Sequence, residues 1–168
     1  MDCLIIGKVW PEPGSTAAGR RTQDIVLSLS AAGWKIHFAS AAQPGTHALD
    51  LAALGVTTQR VEINASGFDS WIKELAPDVV IFDRFMTEEQ FGWRVAAHCP
   101  DALRVLDTSD LHCLRIAREQ ALKTGQAQNL SNETALREIA SIYRSDLSLT
   151  ISQYELELLC GQFALSED

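Results

Sequence analysis

The stretch DVVIFD, residues 78–83, sets four consecutive β-branched or aromatic residues between two aspartates. A strand with one solvated face would alternate apolar and polar side chains, and this run shows no such alternation. Continuous apolar runs of this kind are typical of strands that are buried on both faces, as in a parallel sheet covered by helices on each side. The stretch therefore predicts an α/β protein.

Apolar runs alternate with helical patterns on both sides of this strand. The other predicted strands cover residues 3–9, 35–40, 57–63, 102–107 and 147–152. Helices are predicted from Arg20 to Gly33, over 46–55, 67–76 and 87–98, from Leu111 to Lys123, and over 133–146 and 153–159. This alternation predicts a Rossmann-like, doubly wound parallel sheet of about six strands in a three-layer α/β/α domain.

Three helix starts carry recognisable capping residues. Thr87 and Ser152 are each followed three residues later by Gln90 or Glu155, so we expect two capping boxes. Asp110 is the expected N-cap of the helix after the fifth strand, because a short side-chain oxygen can accept from the free amides of a first turn.

Length, charge and hydropathy narrow the class of protein. A chain of 168 residues fits one domain, and its formal net charge of −8 argues against a broad nucleic-acid-binding surface. No apolar run reaches the roughly 18 residues of a membrane-spanning helix, and the N-terminus lacks the pattern of a signal peptide. We therefore expect a cytoplasmic protein.

The four cysteines show no paired spacing. They are Cys3, Cys99, Cys113 and Cys160. Because no CxxC pair is present, reduced thiols are expected and a zinc site is not.

In open parallel sheets, ligands bind outside the carboxyl ends of the strands, which singles out segments 10–20, 40–46, 83–88 and 107–112. In the first loop, Gly14 and Gly19 would let the backbone approach a ligand, and Arg20 and Arg21 would strengthen an anion site at the next helix. The alternative is a long connection with two solvated arginines. Neither a G-x-G-x-x-G nor a Walker pattern is present, which argues against a dinucleotide cofactor.

Charged residues also follow the fourth and fifth strands. Asp83 and Arg84 either contact a polar ligand or pair with each other, and pairing is favoured. After Asp107, capping explains Asp110 but does not explain His112. An imidazole beside a carboxylate is a candidate base or hydroxyl anchor, and the alternative is a histidine on a helix surface.

The stretch DTSDLHCLRIARE, residues 107–119, resembles the D-T-V-D-L-H-F-L-R-E segment of group 1, family 4-like retaining glycosyltransferases of the GT-B fold. Such enzymes take part in bacterial polysaccharide and O-antigen assembly. PDVVIFDRFMTEEQFGWRV, PGSTAAGRRTQDIVLSLSAAGWKIHFAS and SDLSLTISQYELELL resemble other segments of the same proteins, in the same order. The resemblance covers nearly the whole chain, and Ser109 replaces a residue that is usually apolar.

The resemblance implies that residues 1–160 are a single Rossmann-like domain, the N-terminal, acceptor-side half of a GT-B enzyme. Residues 161–168 would begin the linker to a missing C-terminal domain, since the paired glutamates that bind the donor in this family have no counterpart here. The full-length protein would move a sugar from a nucleotide-sugar donor to an acceptor hydroxyl with retention. The isolated chain would be inactive.

The resemblance also implies site roles. His112 and Asp110 would be catalytic, and the substrate-binding residues would be Gly14, Ser15, Gly19, Arg20, Arg21, Arg84 and Asp107. No cofactor and no metal are expected, because the nucleotide-sugar is a substrate. The partners would be that donor, a glycan or lipid-linked acceptor and the C-terminal domain, with the full-length protein cytoplasmic or peripheral to the inner membrane. An uncovered strand-end face would favour self-association, which light scattering would detect.

Three other functions remain open. A Rossmann-like binding or regulatory module would keep the fold without chemistry. A nucleotide-sugar epimerase is a second alternative. The missing glycine fingerprint after the first strand argues against a dinucleotide cofactor for such an enzyme. A thiol enzyme using Cys113 with His112 is a poor third, because adjacent helical residues point about 100° apart.

Overall fold

The computed structural model describes residues 1–166, and all the expected strands are present in it. They are β1 (Asp2–Gly7), β2 (Lys35–Ser40), β3 (Thr57–Arg60), β4 (Val79–Asp83), β5 (Leu103–Asp107) and β6 (Leu147–Leu149). The helices are α1 (Ala17–Ala31), α2 (Ser66–Leu75), α3 (Phe85–His98), α4 (His112–Thr124), α5 (Glu133–Arg144) and α6 (Gln153–Phe163). A short 3₁₀ helix covers Ala52–Leu54.

The six strands of this part of the chain form one parallel sheet in the order β3-β2-β1-β4-β5-β6. Ile5 of β1 lies opposite Ile81 of β4, which in turn lies opposite Val105 of β5. The order reverses between β1 and β4, and this reversal opens a crevice at the carboxyl ends of those strands. The doubly wound α/β sheet expected from the sequence is confirmed.

Alternate residues of the strands build two apolar layers. Leu4, Ile6, Val80 and Phe82 share one buried cluster with Phe91 of α3. Ile5, Phe38, Ile81 and Val105 share the other with Val26 of α1. All five residues of β4 are buried, as the unbroken apolar run predicts. A third cluster joins α4, α5 and α6 and contains Leu111, Cys113, Leu114, Ala135 and Leu159.

Several of the expected helix boundaries are wrong, including the end of α6, which lies at Phe163 and not at residue 159. Helix α1 begins before Arg20, because Thr16 caps it by accepting from the amide of Gly19 at 3.0 Å. The helix expected over 46–55 is reduced to the 3₁₀ turn, because the amide of Leu49 bonds to the carbonyl of Pro11 at 2.8 Å and ties this segment to the first loop. Helix α3 begins at Phe85, two residues before the expected cap.

The capping predictions have mixed outcomes. Thr87 caps nothing, since its hydroxyl lies 2.9 Å from the carbonyl oxygens of both Asp83 and Arg84 inside the first turn of α3. Ser152 does cap α6, accepting from the amide of Glu155 at 3.2 Å. The Glu155 carboxylate does not complete a capping box there, because it accepts from the amides of residues 111 and 151.

At the end of the chain, α6 runs to Phe163, so residues 161–163 of the expected linker are helical. Residues 167 and 168 lie outside the described part of the chain. No helix between residues 1 and 166 is long and apolar enough to cross a membrane.

Gly19, in the first turn of α1, packs so closely against the backbone of the first loop that no side chain fits there. A Cβ atom at this position would lie 2.5 Å from the nitrogen and 2.7 Å from the oxygen of Glu12. Because backbone atoms cannot swing aside, Gly19→Ala is expected to lower the free energy of unfolding by about 1–3 kcal/mol in urea denaturation. Gly14→Ala is the matched control, since a Cβ there meets nothing within 4 Å. Equal stability of the two variants would contradict this account.

His37 gives the fold a pH dependence. Its side chain is buried in β2, and its Nε2 has no hydrogen-bond partner within the described residues. Burial, with a smaller contribution from Lys35, lowers the pKa of this imidazole. The unfolded chain therefore binds the proton more readily, so stability present above about pH 6.5 is lost as the pH falls through the folded-state pKa.

This dependence can be measured by urea denaturation at pH 7.5 and pH 5. His37→Leu should reduce the difference in stability between the two pH values, because the buried titrating group is removed. His47→Ala is the control, since His47 is exposed and should leave the difference as it is. An unchanged difference in His37→Leu would contradict the assignment.

Candidate functional site

The carboxyl ends of β1, β4 and β5 are joined by a polar network around Asp83. Arg84 holds this carboxylate with two hydrogen bonds, from Nε at 3.0 Å and Nη2 at 2.8 Å. The amide of Lys8 and the hydroxyl of Ser109 donate to the same carboxylate at 3.2 and 3.3 Å. The expected pairing of Asp83 with Arg84 is confirmed, and it draws three strand ends together.

A second ion pair lies beside the first. Arg21 of α1 donates through Nε to both carboxylate oxygens of Asp107, at 2.8 and 2.9 Å, and its Nη2 lies 2.7 Å from Oδ1. Burial raises the pKa of Asp107, and the opposing effect of Arg21 offsets this only in part. Asp107 thus holds α1 at the end of β5 through its ion pair with Arg21. Its expected role in substrate binding stays a prediction.

The remaining residues of the first loop differ in what they contact. Arg20 is exposed and, among residues 1–166, pairs only with Asp24, at 3.3 Å, so its guanidinium is accessible to a ligand. Gly14 and Ser15 lie in an exposed turn in which the Ser15 amide bonds to the carbonyl of residue 12 at 3.0 Å. Gly19, in the first turn of α1, packs against the backbone of Glu12, and its role in binding a ligand stays a prediction.

Backbone strain marks the end of β4. Arg84 has φ 71° and ψ 159°, a conformation that is essentially restricted to glycine and costs a non-glycine residue about 1–3 kcal/mol. Its amide donates to the carbonyl of Asp107 at 2.8 Å, and α3 begins at the next residue. Ser109 also has a positive φ, 59°. Strained residues at two adjacent strand ends are typical of a functional site.

The backbone strain at Arg84 predicts that glycine and alanine at this position will have the reverse of their ordinary order of stability. Both Arg84→Ala and Arg84→Gly lose the ion pair to Asp83, but only glycine adopts φ 71° without strain. Arg84→Gly should therefore be more stable than Arg84→Ala by about 1–2 kcal/mol, although glycine is ordinarily the less stable of the two. Urea denaturation measures the difference, and the ordinary order would contradict the strained backbone.

His112 begins α4 and is buried, with its Nδ1 turned toward oxygen atoms. That nitrogen lies 3.1 Å from the carbonyl oxygen of Asp110 and 3.7 Å from its carboxylate. The carboxylate of Asp110 also pairs with Arg115 at 3.1 Å. The structure therefore brings the two expected catalytic residues together at the mouth of β5, while their catalytic role stays a prediction.

Asp110 is not the cap of α4, which corrects the expectation from sequence. The amides of His112 and Cys113 donate instead to the carboxylate of Glu138 in α5, at 2.8 and 2.7 Å. The amide of Leu111 donates to Glu155 in α6 at 3.2 Å. Sequence reasoning missed both caps because it looks for a capping residue next to the helix, and these lie 26 and 44 positions away along the chain.

The thiol alternative is disfavoured by the position of Cys113. Its side chain is fully buried, and burial, reinforced by the neighbouring Glu138, raises the pKa of the thiol to about 12. A buried neutral thiol is a poor nucleophile. This residue therefore does not support a cysteine-based reaction.

Lys8 is a third residue that sequence reasoning missed, since it lay inside the predicted strand 3–9. Its ammonium group is exposed and has no ion-pair partner within residues 1–166. Partial desolvation and the nearby Arg84 lower the pKa of this ammonium, and Arg115 adds to the effect. The only available signal was its position immediately after β1, where ligands of parallel sheets bind.

A cavity of about 770 Å³ lies along α1 and extends to the loop between β5 and α4. Its polar lining comes from residues of α1 and of the loop after β5, and much of its apolar lining comes from α1, β4 and β6. The polar residues are Arg20, Arg21, Asp24, Ser28, Ser109 and Asp110. This volume is in the range of small-molecule sites in proteins, which combine an apolar wall with a few oriented polar groups. Within residues 1–166, no cluster of histidine, cysteine and acidic residues is arranged to hold a metal ion.

No protein-family model and no curated protein matches this sequence. Several solved structures match its fold. A sucrose-phosphate synthase from Thermosynechococcus elongatus superposes with a TM-score of 0.64 at 13% identity, over 95% of this chain and 44% of that one. The lipopolysaccharide outer core galactosyltransferase WaaB, in its apo form, superposes with a TM-score of 0.61 at 12% identity, over 99% and 43%.

A protein from Listeria monocytogenes assigned as a UDP-N-acetylglucosamine 2-epimerase superposes with a TM-score of 0.58 at 11% identity, over 99% of this chain and 43% of that one. The chain thus spans less than half the length of each of these proteins. At such identities the likeness establishes the fold alone, which is the doubly wound α/β fold expected from the sequence. The chain therefore has the Rossmann-like fold that forms less than half of these transferase and epimerase chains.

Proposed function

We propose that this chain is the N-terminal, acceptor-side domain of a retaining glycosyltransferase, which moves a sugar from a nucleotide-sugar donor to an acceptor hydroxyl in glycan assembly. The observation that carries the proposal is the clustering of Asp83, Arg84 and Asp107 at the ends of β4 and β5, with His112 at the start of the helix that follows β5. Asp107 and His112 belong to the stretch whose sequence most resembles such enzymes, and Asp83 and Arg84 belong to the segment just upstream. The fold, shared with a galactosyltransferase over 43% of its length, is consistent with one domain of a longer enzyme.

The polar groups of the crevice suit a sugar and its phosphates. Lys8 and Arg20 carry accessible positive charges, whereas Arg21 and Arg84 are each held by a carboxylate. Accessible cations at this edge would attract a diphosphate, whose negative charge grows as the sugar departs. Paired arginines, by contrast, hold the strand ends in place and so orient the crevice.

His112 and Asp110 would act on the sugar itself. The imidazole is held through Nδ1, which leaves Nε2 as the nitrogen that can meet a hydroxyl of the transferred sugar. Asp110, paired on one side with Arg115, would accept from a second hydroxyl. Both groups would orient the donor sugar for attack by the acceptor, which is a glycan or a lipid-linked glycan in this proposal.

The experiment that tests the function is sugar transfer by the full-length gene product, with a panel of radiolabelled nucleotide-sugars and membrane-extracted acceptors. Transfer by the full-length protein, and none by the 168-residue chain alone, is the expected result. If the full-length protein transfers no sugar from any donor, the proposal fails. A non-catalytic module that binds a nucleotide-sugar would then be recognised by ligand-dependent stabilisation without turnover.

A nucleotide-sugar epimerase is the second candidate, favoured by the likeness to the Listeria protein. The two reactions differ in their products. A transferase releases a nucleoside diphosphate only when an acceptor is present, whereas an epimerase converts the nucleotide-sugar without any acceptor. Analysis of the nucleotide-sugar recovered after incubation without acceptor therefore decides between them, because a changed sugar would favour the epimerase.

A further inference from the structure

The start of α4 is held by two carboxylates that come from distant helices. Glu138 accepts from the amide of His112 with one oxygen and from the amide of Cys113 with the other, at 2.8 and 2.7 Å. Glu155 accepts from the amide of Leu111 at 3.2 Å. Both carboxylates are buried. The amides of Leu111, His112 and Cys113 at the start of α4 therefore already donate to carboxylates of the protein itself.

Glu138 also faces the ring of His112. Its Oε1 lies 3.4 Å from Nδ1, and the same nitrogen lies 3.1 Å from the carbonyl oxygen of Asp110. The carbonyl of Asp110 can only accept a hydrogen bond. Each carboxylate oxygen of Glu138 already accepts from a backbone amide, so a proton on either oxygen would point at an N–H group. Neither group can therefore donate to Nδ1. Nδ1 is thus surrounded by acceptors. The ring is held edge-on against Phe85, with centroids 5.5 Å apart.

We infer that Glu138 is a positioning residue, which sets the tautomer and the orientation of His112. With the Nδ1 proton directed at acceptors, the neutral imidazole keeps its lone pair on Nε2, the nitrogen that could accept a hydrogen bond from a hydroxyl of the substrate. This inference rests on the proposed function for the identity of the substrate as a sugar. The tautomer itself is a property of the folded chain.

The test is ¹⁵N NMR of the ring nitrogens in protein labelled on histidine, at a pH above the titration of imidazole. The four histidines allow assignment by comparison with His112→Gln. In the wild-type protein, the Nδ1-protonated form of His112 should exceed the other tautomer by about tenfold or more, because the hydrogen bond from Nδ1 to the carbonyl of Asp110 is reinforced by the nearby carboxylate of Glu138. A predominantly Nε2-protonated ring would overturn the inference.

Glu138→Gln tests the role of the carboxylate, because it keeps the shape of the side chain and replaces one acceptor by a donor. The tautomer ratio should fall by about tenfold in this variant. The matched control is Glu155→Gln, which changes the neighbouring cap and has no contact with the ring, and it should keep the wild-type ratio. An unchanged ratio in Glu138→Gln, or an equal change in both variants, would overturn the inference.

If Glu138→Gln does not fold, the wild-type protein still decides the question. The proton on Nδ1 should show a nuclear Overhauser effect to the side-chain protons of Glu138, and its absence would overturn the inference. None of these measurements depends on enzymatic turnover. A failure to find sugar transfer would therefore remove the proposed function and leave the tautomer result to be judged separately.

Discussion

Arg21→Met is expected to lower the free energy of unfolding by about 2–4 kcal/mol, because it leaves the carboxylate of Asp107 buried without its partner. Methionine keeps most of the apolar stem of arginine, so the loss reports the charge rather than the packing. The expected loss lies toward the lower part of the range for broken buried ion pairs, since the Arg21 side chain is 28% exposed. Urea denaturation at pH 7.5 measures it.

Arg20→Met is the control, since the same substitution one residue earlier removes only an exposed pair with Asp24. It should change stability by about 0.5 kcal/mol or less. Adding Asp107→Asn to Arg21→Met removes the unpaired charge and should recover part of the loss. If both arginine variants were equally stable, the pair with Asp107 would contribute nothing.

The loss should also depend on pH in a defined direction. Burial raises the pKa of Asp107, and Arg21 opposes that rise, so removing Arg21 raises the pKa further. A folded-state pKa above the unfolded value contributes stability at low pH that disappears as the pH rises through the folded-state pKa. The difference between Arg21→Met and the wild-type protein should therefore be larger at pH 7.5 than at pH 5.

His112→Ala, in the full-length protein, is expected to lower the rate of sugar transfer by about a hundredfold, the usual cost of misplacing a reacting group. The loss should fall on kcat, because a group that acts on the reacting sugar contributes more in the transition state than in substrate binding. Steady-state kinetics with the active nucleotide-sugar measure it.

His98→Ala provides the matched control. His98 ends α3, at the opposite edge of the sheet, where it lies 3.4 Å from Asp69. It should leave transfer unchanged. Because His112 is buried, the fold of each variant is checked by circular dichroism and urea denaturation. Full activity in a folded His112→Ala protein would show that the stretch DTSDLH serves only the fold, and the site assignment would fail.

Much of the fold could be predicted because its signals are local. The unbroken apolar run of β4 predicts burial on both faces, and the alternation of strands and helices predicts the doubly wound sheet. Boundaries were less accurate where a distant contact decided them. The segment 46–55 has a helical pattern, yet the hydrogen bond between Leu49 and Pro11 holds it in another conformation.

In the candidate site as well, local signals could be read from the sequence and distant contacts could not. The sequence indicated Asp107, Asp110 and His112, because a strand end with clustered polar residues is visible in one short stretch. It could not indicate that Arg21 would pair with Asp107, 86 positions away, or that Glu138 would face His112. Lys8 was also missed, since the charged residues near it, Arg84 and Arg115, come from distant parts of the chain.

The sequence by itself therefore determined the class of fold and the order of its elements, and it predicts the edge of the sheet at which a ligand would bind. These follow from hydrophobic periodicity and turn residues, which act over a few neighbouring positions. Only the tertiary structure decided which charges are paired, which amides are capped and which ring nitrogen of His112 is held. Those choices depend on the burial of polar groups, and a buried carboxylate takes its partner from whichever element packs against it.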